Sequence, residues 1–448
     1  MLMSEMNCRD FRRWPRLLGC AAAVIACLMW AMPAARAELQ IEITSGVRDP
    51  IPIAIVPFGH TGAASPELDV AEIVQHDLEG SGRFRGLPRE RMPATPNRAN
   101  EVTSPEWKSV GSDYVVVGRT TALDNGSLAV DFELVNTLTG AKLAGQRFTG
   151  APGAMRNAAH LVCDVIYQKI LGVRGAFATR IAYVAVQGEP PTQHYQLIVA
   201  DADGENPHLI LESRFPIMSP AWSPDGQWLA YVSFESKLSG VYVQLVRTGE
   251  RRLVSARAGI NGAPAWSPDG RKLALTLGGS NGNPDIYVLD LNTQNLVRIT
   301  DDPAIDTEPE WAPDGRSLYF TSDRAGSPQI YQISASGGGR PKRITFEGNY
   351  NARPRVSADG TELAMVTLEG TGYRIAVQDL ASGAVRVLSH GRLDESPSFA
   401  PNGATLIYSQ REGARGALAT ISVDGLTGLR LKAQQGVICD PAWGPFGT

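Results

Sequence analysis

The chain has 448 residues, 43% of them hydrophobic, enough for two or three domains with cores of their own. Its 42 basic side chains against 46 acidic ones give a formal net charge of −4, which makes nucleic acid and anionic membrane surfaces poor partners.

The first stretch reads as a targeting segment. Arg9, Arg12, Arg13 and Arg16 precede an apolar run from Leu17 to Met32, and Ala35-Arg36-Ala37 supplies a small-x-small cleavage pattern before Glu38. Residues 1–37 are thus expected to be a cleaved signal peptide, and the run is shorter than the roughly 20 residues that span a bilayer. Val24-Ile25-Ala26-Cys27 leaves a second reading open, since it has the form of a lipoprotein cleavage box, although the residues after Cys27 stay apolar. Cleavage after Ala37 removes five basic and two acidic residues, leaving 411 residues, 37 basic against 44 acidic, with a net charge of −7. Cys163 and Cys439 remain for an oxidising compartment, either as two buried thiols or as a disulfide between domains.

Residues 38–172 alternate strand and helix. Leu39 to Thr44 alternates apolar with polar and reads as an edge strand, and Pro52 to Pro57 as a buried one. Pro66 opens a helix with Leu68, Ile73, Val74 and Leu78 on one face and Glu67, Asp69 and Glu72 near its start; Gly80-Ser81-Gly82 stops it. Residues 113–118 and 128–135 are strands. A second helix runs from Ala154 to Leu171 and closes at Gly172. This predicts a small α/β domain, followed by a short linker at 173–179.

From residue 180 the chain is an array. Pro220-Ala221-Trp222-Ser223-Pro224-Asp225-Gly226 returns with its leading proline at Pro264, Pro309, Pro354, Pro397 and Pro441, in steps of 44, 45, 45, 43 and 44 residues. A fixed period of this length built of short strands marks a β-propeller. In the Pro-Asp-Gly turns Pro presets φ, Asp caps the turn, and Gly takes the left-handed conformation, so the chain doubles back into a hairpin. Two more short strands follow in each copy, making a four-stranded blade. The last copy has a first strand only, whereas residues 180–211 hold strands two to four without a first. Joined, they give six blades in a ring whose C-terminal strand pairs with N-terminal ones, Trp443 beside the Ile181 strand. The recurring aromatic (Trp222, Trp266, Trp311, Phe399 and Trp443, with Val356 departing) reads as packing between blades.

No catalytic set emerges. Gly278 to Gly282 matches G-x-S-x-G but sits in a hairpin loop rather than a strand-to-helix elbow. The six histidines, His60, His76, His160, His194, His208 and His390, show no metal spacing. Asp201-Ala202-Asp203-Gly204 lacks the rest of a calcium loop and reads as a turn.

The N-terminal stretch Glu38 to Val47 followed by Pro52 to Phe58, together with the six-fold repeat ending in Pro441-Ala442-Trp443-Gly444-Pro445-Phe446, resembles the TolB family, periplasmic components of the Tol-Pal system of Gram-negative bacteria. The resemblance implies a two-domain protein, an N-terminal α/β domain followed by an all-β six-bladed propeller at 180–448, without chemistry or cofactor of its own. It implies a periplasmic adaptor that binds the Pal lipoprotein through the propeller and TolA through its first residues, and supports outer-membrane integrity and division. Colicins and other outer-membrane proteins are further partners. The matching TolA segment is Glu38, Leu39, Gln40, Ile41, Glu42 and Ile43, an edge strand whose backbone can add to a partner's sheet. The Pal surface falls on the loops entering each first strand: Ile260, Asn261 and Ala263; Asp306, Thr307 and Glu308; Asn351 and Arg353; Asp394 and Glu395. With Asp440, the acids among these form an expected acidic rim that attracts a cation, without a dedicated metal site. The rival readings are a propeller-bearing periplasmic hydrolase and a lipid-anchored binding protein.

Overall fold

In each repeat, hydrogen bonds explain why the motif needs its polar residues. Ser223, Ser267 and Ser357 accept from the N–H of the residue opening the next strand, Trp228 at 2.9 Å, Lys272 at 2.9 Å and Glu362 at 3.0 Å. The motif aspartates Asp225, Asp269 and Asp359 accept from Gln227, Arg271 and Thr361, so the turn's donors are satisfied locally. Gly226, Gly270, Gly315, Gly360 and Gly403 all take φ between 65° and 73°, where a Cβ would be strained.

The structure is a computed structural model that describes residues 41–42 (backbone only), 49–62, 68–189, 191–278, 283–413, 415–431 and 436–447. Five blades follow in order, blade 1 (residues 217–255), blade 2 (261–298), blade 3 (306–343), blade 4 (351–387) and blade 5 (394–430), each an antiparallel sheet of four consecutive strands. The closing blade joins Val437–Trp443 to Arg180–Gln187, with Trp443 opposite Ile181, as the repeat ends predict. The tryptophans do pack between blades. Trp222, Trp266 and Trp311 each donate Nε1–H to a carbonyl of the preceding inner strand, Ala442, Ala221 and Ala265, at 3.1 Å.

Every inner strand carries a bulge at the residue before its motif proline. Ser219, Ala263, Glu308, Arg353, Ser396 and Asp440 all have φ between 44° and 56°, and the pairing register shifts there in each blade. Proline has no N–H to leave unpaired, so the ladder yields at that point and turns the preceding residue toward the ring axis. All six bulge residues line one central cavity.

The N-terminal domain is a mixed sheet in the order Phe84–Gly86, Ile51–Ile55, Tyr114–Ala122, Leu128–Asn136, Lys142–Gly150, with the first three strands parallel. Helices α1 (Val70–Gly80) and α3 (Met155–Leu171) cover one face, burying Val74, Leu78, Val162 and Ile166 against Ile53, Ile55, Val116 and Phe132. Between them α2 (Ser104–Ser109) buries Trp107 on the other face. The first helix starts at Val70 rather than Pro66, because Asp69 caps it by accepting from Glu72 N at 3.1 Å; residues 63–67 lie outside the described residues. No helix among the described residues is long and apolar enough to cross a membrane.

Of the expected N-terminal edge strand, the described residues do not join their own domain's sheet. Ile41 and Glu42 pair with Leu429 and Gly428 on the outer strand of blade 5, which becomes five-stranded. The two cysteines among the described residues are unpaired, Cys163 buried in the α/β core and Cys439 half-buried on the closing strand.

The α/β domain sits on the face of the ring that carries the motif turns. Arg83 meets Asp424 of blade 5 at 2.6 Å, and Asn402 Nδ2 donates to Arg174 O of the linker at 3.0 Å. The linker is held by Asp164 of α3, which accepts from Phe177 N at 2.8 Å and Ala178 N at 3.4 Å. Burial outweighs those bonds and pushes the Asp164 carboxyl up to about 6. Unfolded, it titrates near the ordinary 3.8, so the fold carries a charge penalty at neutral pH that disappears on protonation. Lowering the pH from 7.5 to 5 should therefore stabilise the wild type by about 1 kcal/mol relative to Asp164→Asn. Urea midpoints of the two chains at both pH values measure the gap, and an unchanged gap removes Asp164 as its source.

Candidate functional site at the ring mouth

The loops entering the inner strands lie on the face opposite the α/β domain, because the inner strands run from this face toward the motif turns. In four of the six inner strands the first residue sets the shape of its loop from beneath. Asn261 Oδ1 accepts from Ser255 Oγ at 2.7 Å and Arg257 N at 2.9 Å, and its amide donates to Arg257 O. Asp306 accepts twice from Arg324 Nη2, at 2.9 and 2.7 Å. Asn351 donates to Gln329 Oε1 and Glu347 O, and Asp394 accepts from Gly391 N. These four side chains are at most 1% exposed. A side chain with no surface cannot touch a partner directly, so Asn261, Asp306, Asn351 and Asp394 act on the mouth only through the loops they fix.

The remaining positions reach the surface or the channel. Ile260 is exposed, and Ala263, Thr307, Glu308, Arg353 and Glu395 are half-buried. Glu308 and Arg353 turn inward at the bulges. Arg353 Nε donates to Glu308 Oε1 at 3.0 Å, its N–H to Glu308 Oε2 at 3.0 Å, and its Nη1 to Asp440 Oδ1 at 3.1 Å. Ser396 Oγ donates to Asp440 Oδ1 at 2.9 Å, and Ser219 N to Asp440 Oδ2 at 3.1 Å. One guanidinium thus ties four blades together across the axis. Burial works against its charge, but Asp440 and Glu308 outweigh that and hold its pKa above the ordinary arginine value. Burial likewise disfavours the Asp440 carboxylate, and Arg353 reverses the sign. The acidic rim is therefore not an open ring of carboxylates. Arg353 pairs with both Glu308 and Asp440 and offsets one of their two charges, Arg324 pairs with Asp306, and Asp394 is buried.

Around this plugged centre the same face exposes apolar side chains, of which the repeat phase singled out only Ile260. Phe215 (41%), Met218 (39%) and Leu238 (64%) belong to blade 1 and its entry loops, Ile260 to blade 2, and Phe346 (72%) to the loop entering blade 4. Large apolar groups standing in otherwise polar loops at one phase were the signal available. Such a grouping on one face is characteristic of a protein-binding surface.

Of the N-terminal segment, Glu38, Leu39, Gln40 and Ile43 lie outside the described residues, as do residues 279–282 of the G-x-S-x-G stretch. Ile41 and Glu42 stand at the edge of blade 5, at the α/β side of the ring.

Residues 167–447 match the family model described as TolB beta propeller domain, and residues 39–143 that of the TolB amino-terminal domain. Among curated relatives, the Tol-Pal system protein TolB of Xanthomonas oryzae pv. oryzae (strain PXO99A) is 47% identical over 431 residues, covering 96% of this chain and 98% of the relative. The protein of the same name from Xanthomonas campestris pv. campestris (strain B100) is 47% identical over 413 residues, 92% and 94% of the two chains. The crystal structure of TolB from Acinetobacter baumannii superposes with a TM-score of 0.83 at 41% identity, covering 91% of this chain and all of that one.

Proposed function

The chain belongs to the TolB family of the Tol-Pal system, and from that premise we propose that it is a periplasmic adaptor that binds the Pal lipoprotein at the ring mouth and TolA through residues 38–43. It works by joining partners rather than by chemistry, and supports outer-membrane integrity and its invagination at division. The observation that carries this reading is the separation of two surfaces. Exposed Ile260 and Phe346 flank a rigid, ion-paired mouth, while Ile41 and Glu42 pair with the outer strand of blade 5 at the opposite side. A strand docked on a sheet edge can leave it and add to another protein's sheet, because the backbone groups it offers are the same in either place. Half-buried Ala263, Thr307 and Glu395, together with Ile260, are the proposed direct Pal contacts, and the four buried strand-first residues position their loops.

A pull-down from envelope extract with the mature chain tests the proposal. Pal and TolA are both expected. Deleting residues 38–43 should abolish TolA recovery and leave Pal, whereas Ile260→Asp combined with Phe346→Asp should weaken Pal binding at least about tenfold and leave TolA. TolA recovered undiminished by the trimmed chain, or Pal binding untouched by the double substitution, would overturn the corresponding half of the assignment.

A further inference from the structure

Folding brings together, at the junction of the α/β domain with the closing blade, two histidines that are far apart in sequence. His76 and Asp77 come from α1, His160 from α3, and Asp201 and Asp203 from the turn between two strands of the closing blade. Asp77 Oδ2 lies 2.6 Å from His160 Nδ1 and so fixes the ring with Nε2 directed at that turn. The ring is 2% exposed, and Nε2 has no hydrogen-bond partner; Asp201 Oδ2 stands 3.8 Å away, beyond hydrogen-bond reach. His160, Asp201 and Asp203 present ligand atoms within 4.8 Å of one another, and His76, Asp77 and Asp203 do so again. A carboxylate held against one imidazole nitrogen, with the other nitrogen facing further carboxylates, is the arrangement that orients metal-binding histidines.

We propose that this junction is a site for a divalent transition-metal ion of the Zn2+ class, held by His160 Nε2, Asp201 and Asp203 with His76 on the outer side, clamping the α/β domain to the ring. A cavity of about 90 Å³ lined by His76, Asp77 and Asp203 adjoins the cluster. The mixed nitrogen and carboxylate donors favour Zn2+ over Ca2+ or Mg2+, which prefer all-oxygen shells. Arg156 is the occupant to be displaced, with Nε 3.2 Å from Asp201 Oδ2 and Nη2 against Asp203. Its side chain keeps 23% exposure, so the guanidinium has a way out to solvent. Metal and guanidinium compete for the same carboxylates, which gives the site a signature that a purely structural ion cluster lacks: removing the arginine must tighten metal binding.

The test uses tag-free mature chain, stripped with chelator and titrated at pH 8 with Co2+, for the visible d–d absorption of a histidine-bound ion, and with Zn2+, for the rise in unfolding temperature. One saturable equivalent is expected in the parent chain, at least about tenfold tighter in Arg156→Gln and at least about tenfold weaker in His160→Gln. Asp203→Asn supplies the weakening arm if His160→Gln does not fold. The proposal is overturned by the absence of a saturable Co2+ or Zn2+ signal in both parent and Arg156→Gln, by unchanged affinity in the ligand variants, or by Mg2+ or Ca2+ binding as tightly as Zn2+.

Discussion

Replacing Arg353 with alanine is expected to lower stability by about 2–4 kcal/mol, the largest effect of any single substitution at the mouth. The substitution strands two carboxylates, those of Glu308 and Asp440, that are 19% and 16% exposed and have this guanidinium between them. The range sits at the low end for a broken buried pair because the arginine itself is 35% exposed and its charge is partly screened. In a chain of this size that corresponds to roughly 2–5 °C in unfolding temperature. Replacing all three residues, Arg353→Met with Glu308→Gln and Asp440→Asn, should recover most of the loss, since it removes the unpaired charges rather than the attraction alone. Thermal unfolding of the single and triple variants decides the matter. A single variant within about 1 °C of the parent would mean that the bulges, not the ions, hold the mouth.

Much of the fold could be read from residues, and the reasons why the rest could not are physical. The period, the Pro-Asp-Gly turns and the half-blade at each end determine the blade number and the closure at Trp443, because each is a local or end-to-end feature of one repeated unit. The repeat also gives the phase of the mouth loops, but not which way each side chain points. Asn261, Asp306, Asn351 and Asp394 have the composition of surface loop residues, yet each satisfies its polar atoms beneath the loop and is buried. The bulge one residue before each proline resets the in-and-out alternation and turns Glu308 and Arg353 toward the axis. The strand Lys142–Gly150 was missed since its exposed Lys142, Gly145, Gln146 and Arg147 offer no apolar alternation; it forms by pairing with Leu128–Asn136. Nor does any local pattern tell Ile41 and Glu42 to seek an outer strand at the far end of the chain. The meeting of His76 and His160 at Asp203 is likewise a product of tertiary packing alone.

Deleting Val437–Trp443 should abolish the single cooperative unfolding of the propeller. That strand is the inner strand of the closing blade, and without it Arg180–Gln187 is left with a long unpaired edge beside buried Ala182 and Val184. The loss reaches beyond one ladder, because Trp222 of blade 1 donates to Ala442 O and Trp443 N–H donates to Ser398 Oγ of blade 5 at 2.9 Å. The neighbouring blades on both sides are thereby loosened. Trp443→Ala is the milder version, expected to cost about 3 kcal/mol through lost packing. Trp443→Phe keeps most of the packing and gives up the Nε1–H bond to Thr179 Oγ1 at 2.8 Å, a loss of about 1 kcal/mol. The graded series separates strand pairing from indole packing. Urea unfolding combined with size-exclusion chromatography should show aggregation for the deletion, a lowered but cooperative midpoint for alanine, and a slight shift for phenylalanine. A deletion variant that stays monomeric and unfolds at the parent midpoint would show that the ring does not depend on its seam.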